Sequence, residues 1–118
     1  LPRPCRAGIA ARRALGERLS EAAAAAWRAV PPADLRRPTR SRAEIAFARQ
    51  AAIYFAHVIF GATLTRAGGI FGRDRTTARH ACSRIEDQRD DHAIDRSIDL
   101  LEPAIRYWFA AFAAEGDR

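Results

Sequence analysis

The sequence has no lysine and no methionine, only two cysteines, and no long apolar run. Each of these absences removes a class of function. A phosphate-cradling loop of the G-x-x-x-x-G-K-[ST] type cannot be completed without lysine, which excludes a nucleotide-driven motor of that kind. Cys5 and Cys82 are too few for a disulfide framework or a zinc site. The alanine run at 22–26 is flanked by Glu21 and Arg28 and falls well short of the ~18 apolar residues a membrane-spanning helix needs. Leu1-Pro2-Arg3-Pro4-Cys5 does not open a signal peptide, and the missing initiator Met is expected of a piece or a processed form of a longer chain. A cytoplasmic, nucleoid-associated protein is expected. Serines 20, 41, 83 and 97 have no evident base with an orienting acid, and no paired carboxylates lie in an apolar context. The expectation is therefore no enzyme, no catalytic residue, no metal and no cofactor.

What remains is 118 residues and 13.1 kDa, enough for one domain or one domain plus an appendage. All 20 basic residues are arginine, and there are 27 alanines. That pairing reflects a GC-rich genome, so the number of arginines says less than their distribution. Residues 1–84 carry 16 Arg against 5 acids, and residues 85–118 carry 4 Arg against 9 acids. A field this lopsided favours a polyanion at one end of the chain and repels it at the other.

The periodicity is helical throughout, and no segment alternates over strand length. Residues 9–30 place Leu15, Leu19, Ala22, Ala26 and Val30 on a stripe that Trp27 widens, and Pro31-Pro32 ends the helix. Residues 31–41 are proline-broken and basic, and read as a solvated tether. A second helix over 42–60 carries Ile45, Ala48 or Arg49, Ala52, Phe55, Ala56, Ile59 and Phe60, and stops at Gly61. Thr63 is placed to cap a short helix, Leu64 to Phe71, that Gly72 ends. Asp74 caps a longer helix to about Arg89, with Ala78, Ala81, Cys82 and Ile85 inward. Asp90-Asp91 closes that helix or caps the next, and residues 92–102 and 103–115 are helical again. Pro103 fits a first turn or a kink. The fold class is all-α: 1–38 an N-terminal helix and basic linker, 39–118 a helix-turn-helix domain with C-terminal helices.

The segment 63–89 has helix-turn-helix anatomy, with Arg75, Thr76, Thr77, Arg79, His80 and Ser83 on the outer face of its second helix. A helix N-terminus offers free N–H groups to phosphate. Arginine can grip a guanine edge with two hydrogen bonds, and threonine meets phosphate or a thymine methyl. Asp74 can cap the helix or accept from cytosine N4. The stretch Phe71-Gly72-Arg73-Asp74-Arg75-Thr76-Thr77-Ala78-Arg79-His80-Ala81-Cys82-Ser83-Arg84-Ile85-Glu86, with Arg49-Gln50-x-x-x-Tyr54 upstream, resembles the C-terminal DNA-binding domain of the bacterial chromosomal replication initiator DnaA. The resemblance covers roughly residues 40–90. It implies that Arg49 and Gln50 meet phosphates and that Asp74, Thr76 and Thr77 belong to a major-groove set. His80 matches a family histidine, and Arg40 and Arg42 lie where the family has a minor-groove arginine. Thr63 matches the cap, Thr65 falls where proline is frequent, and Arg73 leads into the recognition helix. Two departures bear on specificity. Arg75 stands in place of a base-reading histidine, and Ala78-Arg79 in place of an apolar pair, so base preference should change and phosphate attraction deepen.

The expected partner is double-stranded DNA, bound with some sequence preference by a bacterial transcription regulator. A protein-interaction module, or a competitor at replication-initiator sites, is the alternative. The acidic run Glu86-Asp87-Gln88-Arg89-Asp90-Asp91 with Asp95 and Asp99 reads as a solvated face that keeps DNA away or meets a basic protein. The cluster Tyr107-Trp108-Phe109-Phe112 either packs on Trp27 and its helix or, within 104–112, forms a contact for a second copy or a transcription or replication protein.

Overall fold

Alanines 48, 51, 52 and 56 are all buried, and so are Ile53, Tyr54 and Phe55 between them. A helix that is apolar on nearly every side must lie inside the molecule, and most of the other elements pack against it, the last helix packing on the first. The computed structural model describes residues 6–38 and 42–116. Along the chain these form α1 (Arg6–Arg28), a 3-10 turn (Pro32–Arg36), α2 (Ala43–Val58), α3 (Leu64–Gly69), α4 (Arg75–Gln88) and α5 (His92–Gly116). The described residues contain no strand, and the fold is all-α as expected. None of their helices is long and apolar enough to cross a membrane.

The central helix α2 packs against α1 on one side and α4 on the other, with α3 and the 3-10 turn closing the ends. The α1 face that meets α2 differs from the expected stripe. Ser20, Ala23, Ala24 and Ala25 are buried, while Ala22 and Ala26 are exposed. In a run of five alanines, side-chain size cannot mark the inward face. Gly16, Ser20 and Ala24 mark it instead, at steps of four. Ser20 Oγ donates to the Gly16 carbonyl at 2.8 Å, so the buried hydroxyl is satisfied. Trp27 completes this face edge-on to Phe47, with ring centroids 5.7 Å apart.

The end of α1 is set two residues before the prolines. Ala29 has φ +55, with its N–H to the Ala26 carbonyl (3.2 Å) and the Val30 N–H to the Ala25 carbonyl (3.0 Å). This is a Schellman ending with alanine where glycine is usual. A Cβ in the left-handed region costs about 1–2 kcal/mol, part of which glycine returns through its freer unfolded chain. Ala29→Gly should therefore raise stability by about 0.5–1 kcal/mol, read as a higher urea midpoint at unchanged slope. A lower midpoint would show that the strain is absent.

The proposed tether is ordered over residues 31–38. Leu35 is fully buried and its carbonyl accepts from Arg49 Nε at 2.8 Å. Arg36 pairs with Glu21 of α1 and donates to the Ile70 carbonyl at 3.2 Å.

Residues 92–116 form one helix, with Pro103 inside it instead of opening a second. The ring removes only the bond to the carbonyl four residues earlier, on Asp99, which is exposed and open to water. Buried Ile98 and Ile105 hold the helix on either side. Asp91 caps it, accepting from the Ala93 N–H at 2.9 Å. Arg89 braces the α4–α5 corner through Asp95 and Asp99, both at 2.6 Å, and the Tyr54 hydroxyl at 3.2 Å. Part of the acidic run expected to be solvated is thus tied into the fold.

Candidate nucleic-acid interface

Both helices of the helix-turn-helix start on side-chain caps. Thr63 Oγ1 accepts from the Arg66 N–H at 3.1 Å, and Asp74 Oδ1 accepts from the Thr77 N–H at 2.8 Å. Between them, Gly72 adopts φ +67, and the Arg73 N–H reaches back to the Gly68 carbonyl at 2.9 Å. A single glycine is enough for this turn, because only one position needs the left-handed conformation. Gly68 serves a different purpose. A Cβ there would lie 2.8 Å from the Arg73 carbonyl oxygen, 2.9 Å from that of Asp74 and 3.1 Å from Ala78 Cβ. Its bare backbone lets α3 lie against the first turn of α4.

The Thr77 backbone bond holds the Asp74 carboxyl below its ordinary value of 3.8, with the Thr77 hydroxyl adding to the effect. A carboxyl with a depressed folded-state pKa stabilises the fold above its unfolded value, and that contribution is lost as pH falls through the folded value. The Thr77 amide resonance should therefore stay at its capped position down to the ordinary aspartate range and move only below it. Movement centred at or above 3.8 would show that the cap is not held.

The described arginines divide into tied and untied groups. Arg28 pairs with Glu44, Arg36 with Glu21, Arg37 with Asp34, Arg66 with Glu17, Arg89 with two aspartates and Arg106 with Glu102. Arg49 and Arg73 donate to backbone carbonyls, Arg49 to Leu35 and Arg73 to Phe71 (2.6 Å) and Arg37 (3.1 Å). Arg13, Arg18, Arg42, Arg75, Arg79, Arg84 and Arg96 are exposed and have no acid or carbonyl partner among the described residues, and three of these seven lie on α4. Arg75 and Arg79 stand one turn apart on α4, and Arg42 precedes α2 on the same face as Ala46, Arg49 and Gln50. A cleft between α2 and α4 is lined by Arg49, Gln50, Arg73, Thr77, His80 and Arg84, among others. Gln50 Oε1 is buried there with no hydrogen-bond partner.

Most of the residues expected at the site meet at this cleft or at the head of α4. Thr76, Thr77 and His80 are exposed on the first turns of α4, and Asp74 is exposed while it caps the helix. Arg49 is buried, and desolvation, then the nearby Arg73 charge, lowers its pKa. Thr65 is exposed on α3, away from the cleft. Arg40 lies outside the described residues. Arg84 was not singled out from the sequence, although it follows His80 by four and Thr77 by seven, the spacing that puts all three on one face. Cys82 is half-buried against the core, and burial pushes its thiol up.

The profile of the bacterial dnaA protein helix-turn-helix matches residues 22–85, from the last two turns of α1 to Ile85 of α4. The chain belongs to the bacterial DnaA helix-turn-helix family. Its helix-turn-helix is thus that of a DNA-binding domain. Similar relatives are chromosomal replication initiator proteins DnaA. That of Symbiobacterium thermophilum is 42% identical over 69 residues, covering 57% of this chain and 15% of its own length. DnaA 1 of Protochlamydia amoebophila is 36% identical over 69 residues (58% and 15%), and DnaA of Lactococcus lactis 38% over 71 (58% and 15%). The chain spans about 15% of the length of these DnaA relatives. No solved structure gives a significant match. Residues 6–21, more than half of α1, and the whole of α5 lie outside the DnaA match.

Proposed function

We propose that this chain binds double-stranded DNA by laying α4 in the major groove and acts as a bacterial transcription regulator, cytoplasmic and nucleoid-associated, without catalysis or cofactor. The observation that carries this reading is the sorting of the arginines. Six arginines elsewhere among the described residues are neutralised by a carboxylate, whereas all three on α4, Arg75, Arg79 and Arg84, are exposed and unpaired, so the recognition helix carries three uncommitted cations on its outer side. Arg75, Thr76, Thr77 and Arg79 reach base edges from the first turns of the helix that Asp74 caps. Arg42, Gln50 and Arg84 hold the backbone, and Arg73 and Arg49 act from the cleft floor. Arg40 belongs to the same basic approach by its position in the sequence. The acidic start of α5 orients the duplex by repulsion.

Fluorescence anisotropy tests the reading, using a labelled duplex with an initiator-type box against a scrambled duplex at two salt concentrations. Tighter binding to one sequence and a steep loss with salt are expected. Absence of binding to either duplex at low salt would overturn it. A second reading, favoured by the exposed aromatic side chains on α5, is an interaction module that meets transcription or replication proteins, or competes at initiator sites.

A further inference from the structure

Of the six large apolar side chains that are strongly exposed among the described residues, four lie on α5: Leu100 (65%), Tyr107 (73%), Trp108 (44%) and Phe112 (54%). The core-facing side of this helix is already filled by Ile98, Ile105 and Ala113, with Phe109 against Phe60 at 5.1 Å. Leu100 and Tyr107 lie on a second face with Trp108 at its edge, whereas Phe112 continues the stripe of Ile98 and Ile105 at a step of seven. Ser97, Leu100, Ala104, Tyr107, Ala111 and Ala114 follow one another at steps of three and four, the spacing of a coiled-coil seam. No charged residue falls on that seam. Asp99, Glu102 and Arg106 stand on another side of the helix, with Arg106 tied to Glu102 at 3.0 Å.

We infer that this face pairs with α5 of a second copy of the chain, antiparallel, about a two-fold axis between Ile105 and Arg106. Large and small residues alternate along the seam, and this axis sets Tyr107 across from Ala104 of the second copy and Leu100 across from Ala111. Every bulky side chain then meets an alanine, which is how facing layers interdigitate. In a parallel pairing, Tyr107 would meet Tyr107. Leu101 and Trp108 of the two copies flank the seam on one side, and no like charges are brought together. Taking ~150–250 Å² for a large apolar side chain, Leu100, Tyr107 and Trp108 present roughly 350 Å² per copy at their fractional exposures. Two copies then bury about 700 Å² from these side chains, and Ser97, the seam alanines and Leu101 bring the total toward the roughly 1,000 Å² of a specific interface. The recognition helices of such a pair are related by the same axis and suit a two-fold symmetric site.

The inference does not depend on DNA binding, and its test contains no DNA. Sedimentation velocity of the full chain over a concentration series should show monomer passing to dimer. Tyr107→Glu should lower the association constant at least roughly 100-fold, since it would bury an unpaired charge in the seam. Tyr107 is largely solvent-exposed in the monomer, so helical circular dichroism should be unchanged. The register is tested by mixing Ala104→Cys and Tyr107→Cys chains in a Cys5→Ser/Cys82→Ser background. The mixture should form a disulfide-linked heterodimer faster than either chain alone forms a homodimer, and this decides the matter even where the glutamate variant misfolds. A wild-type chain that is monomeric at every concentration would overturn the inference and leave the face to a different protein. So would a folded Tyr107→Glu chain that dimerises like wild type, or cross-linking with no preference for the mixed pair.

Discussion

Replacing Arg75 and Arg79 together with alanine should cost about 2–6 kcal/mol of affinity on the preferred duplex, because each bidentate reading of a guanine contributes about 1–3 kcal/mol. Both side chains are exposed on successive turns of α4, with Cβ atoms about 5–6 Å apart by helical geometry. Neither has a partner in the fold, so their removal breaks no intramolecular bond and should leave stability within about 0.5 kcal/mol. Loss of binding with an unchanged melting curve is the signature of a contact residue. The comparison of duplexes separates two roles. A loss confined to the preferred sequence makes the pair base readers. An equal loss on scrambled DNA, with the salt slope smaller by about two, makes them phosphate contacts. Unchanged affinity for both duplexes would remove α4 from the interface.

Gly68→Val should lower stability by about 3 kcal/mol, which for a chain of this length is a fall of roughly 10 °C in the melting midpoint. The atoms that a Cβ would strike are the carbonyl oxygens of Arg73 and Asp74, at 2.8 and 2.9 Å. They belong to backbone that is also engaged in the α3–α4 turn and the first α4 hydrogen bond, so they cannot swing aside as a flexible side chain would. Valine adds a branched side chain in a helical position and forces α3 away from α4. The neighbouring Gly69 is the control. A Cβ there meets nothing within 4 Å, so Gly69→Ala should be neutral or stabilising by up to about 1 kcal/mol. Equal behaviour of the two variants would mean that the close approach at Gly68 is not what fixes the angle of the motif.

The elements legible from sequence were those marked by local chemistry. Thr63 and Asp74 are caps because a short acceptor side chain just before a helical run can reach the N–H three residues on, and both were found doing so. Gly72 closes the turn because a positive φ is needed there, although α3 itself stops at Gly69, two residues short of the Phe71 expected from the sequence. What escaped was set by tertiary packing. The inward face of α1 could not be read from identical alanines. The docking of Leu35 was masked by the prolines and arginines around it. Pro103 did not divide α5, because packing of Ile98 and Ile105 outweighs one lost hydrogen bond at an exposed site. In the candidate site, the exposed residues of α4 stood out from their positions on the helix. The inward anchoring of Arg49 did not, because a carbonyl partner on a different segment leaves no trace in the spacing of residues 49–54.

Arg73 has one further consequence. Its guanidinium bridges the carbonyls of Phe71 and Arg37, which joins the turn before α4 to the segment leading out of the 3-10 turn. Arg49 fastens the same segment from α2 through Leu35. The surface offered to a ligand is thus assembled in advance. Docking through it should require little loss of chain entropy, and the heat-capacity change on association should reflect only the area covered, without the large negative excess that accompanies folding on binding.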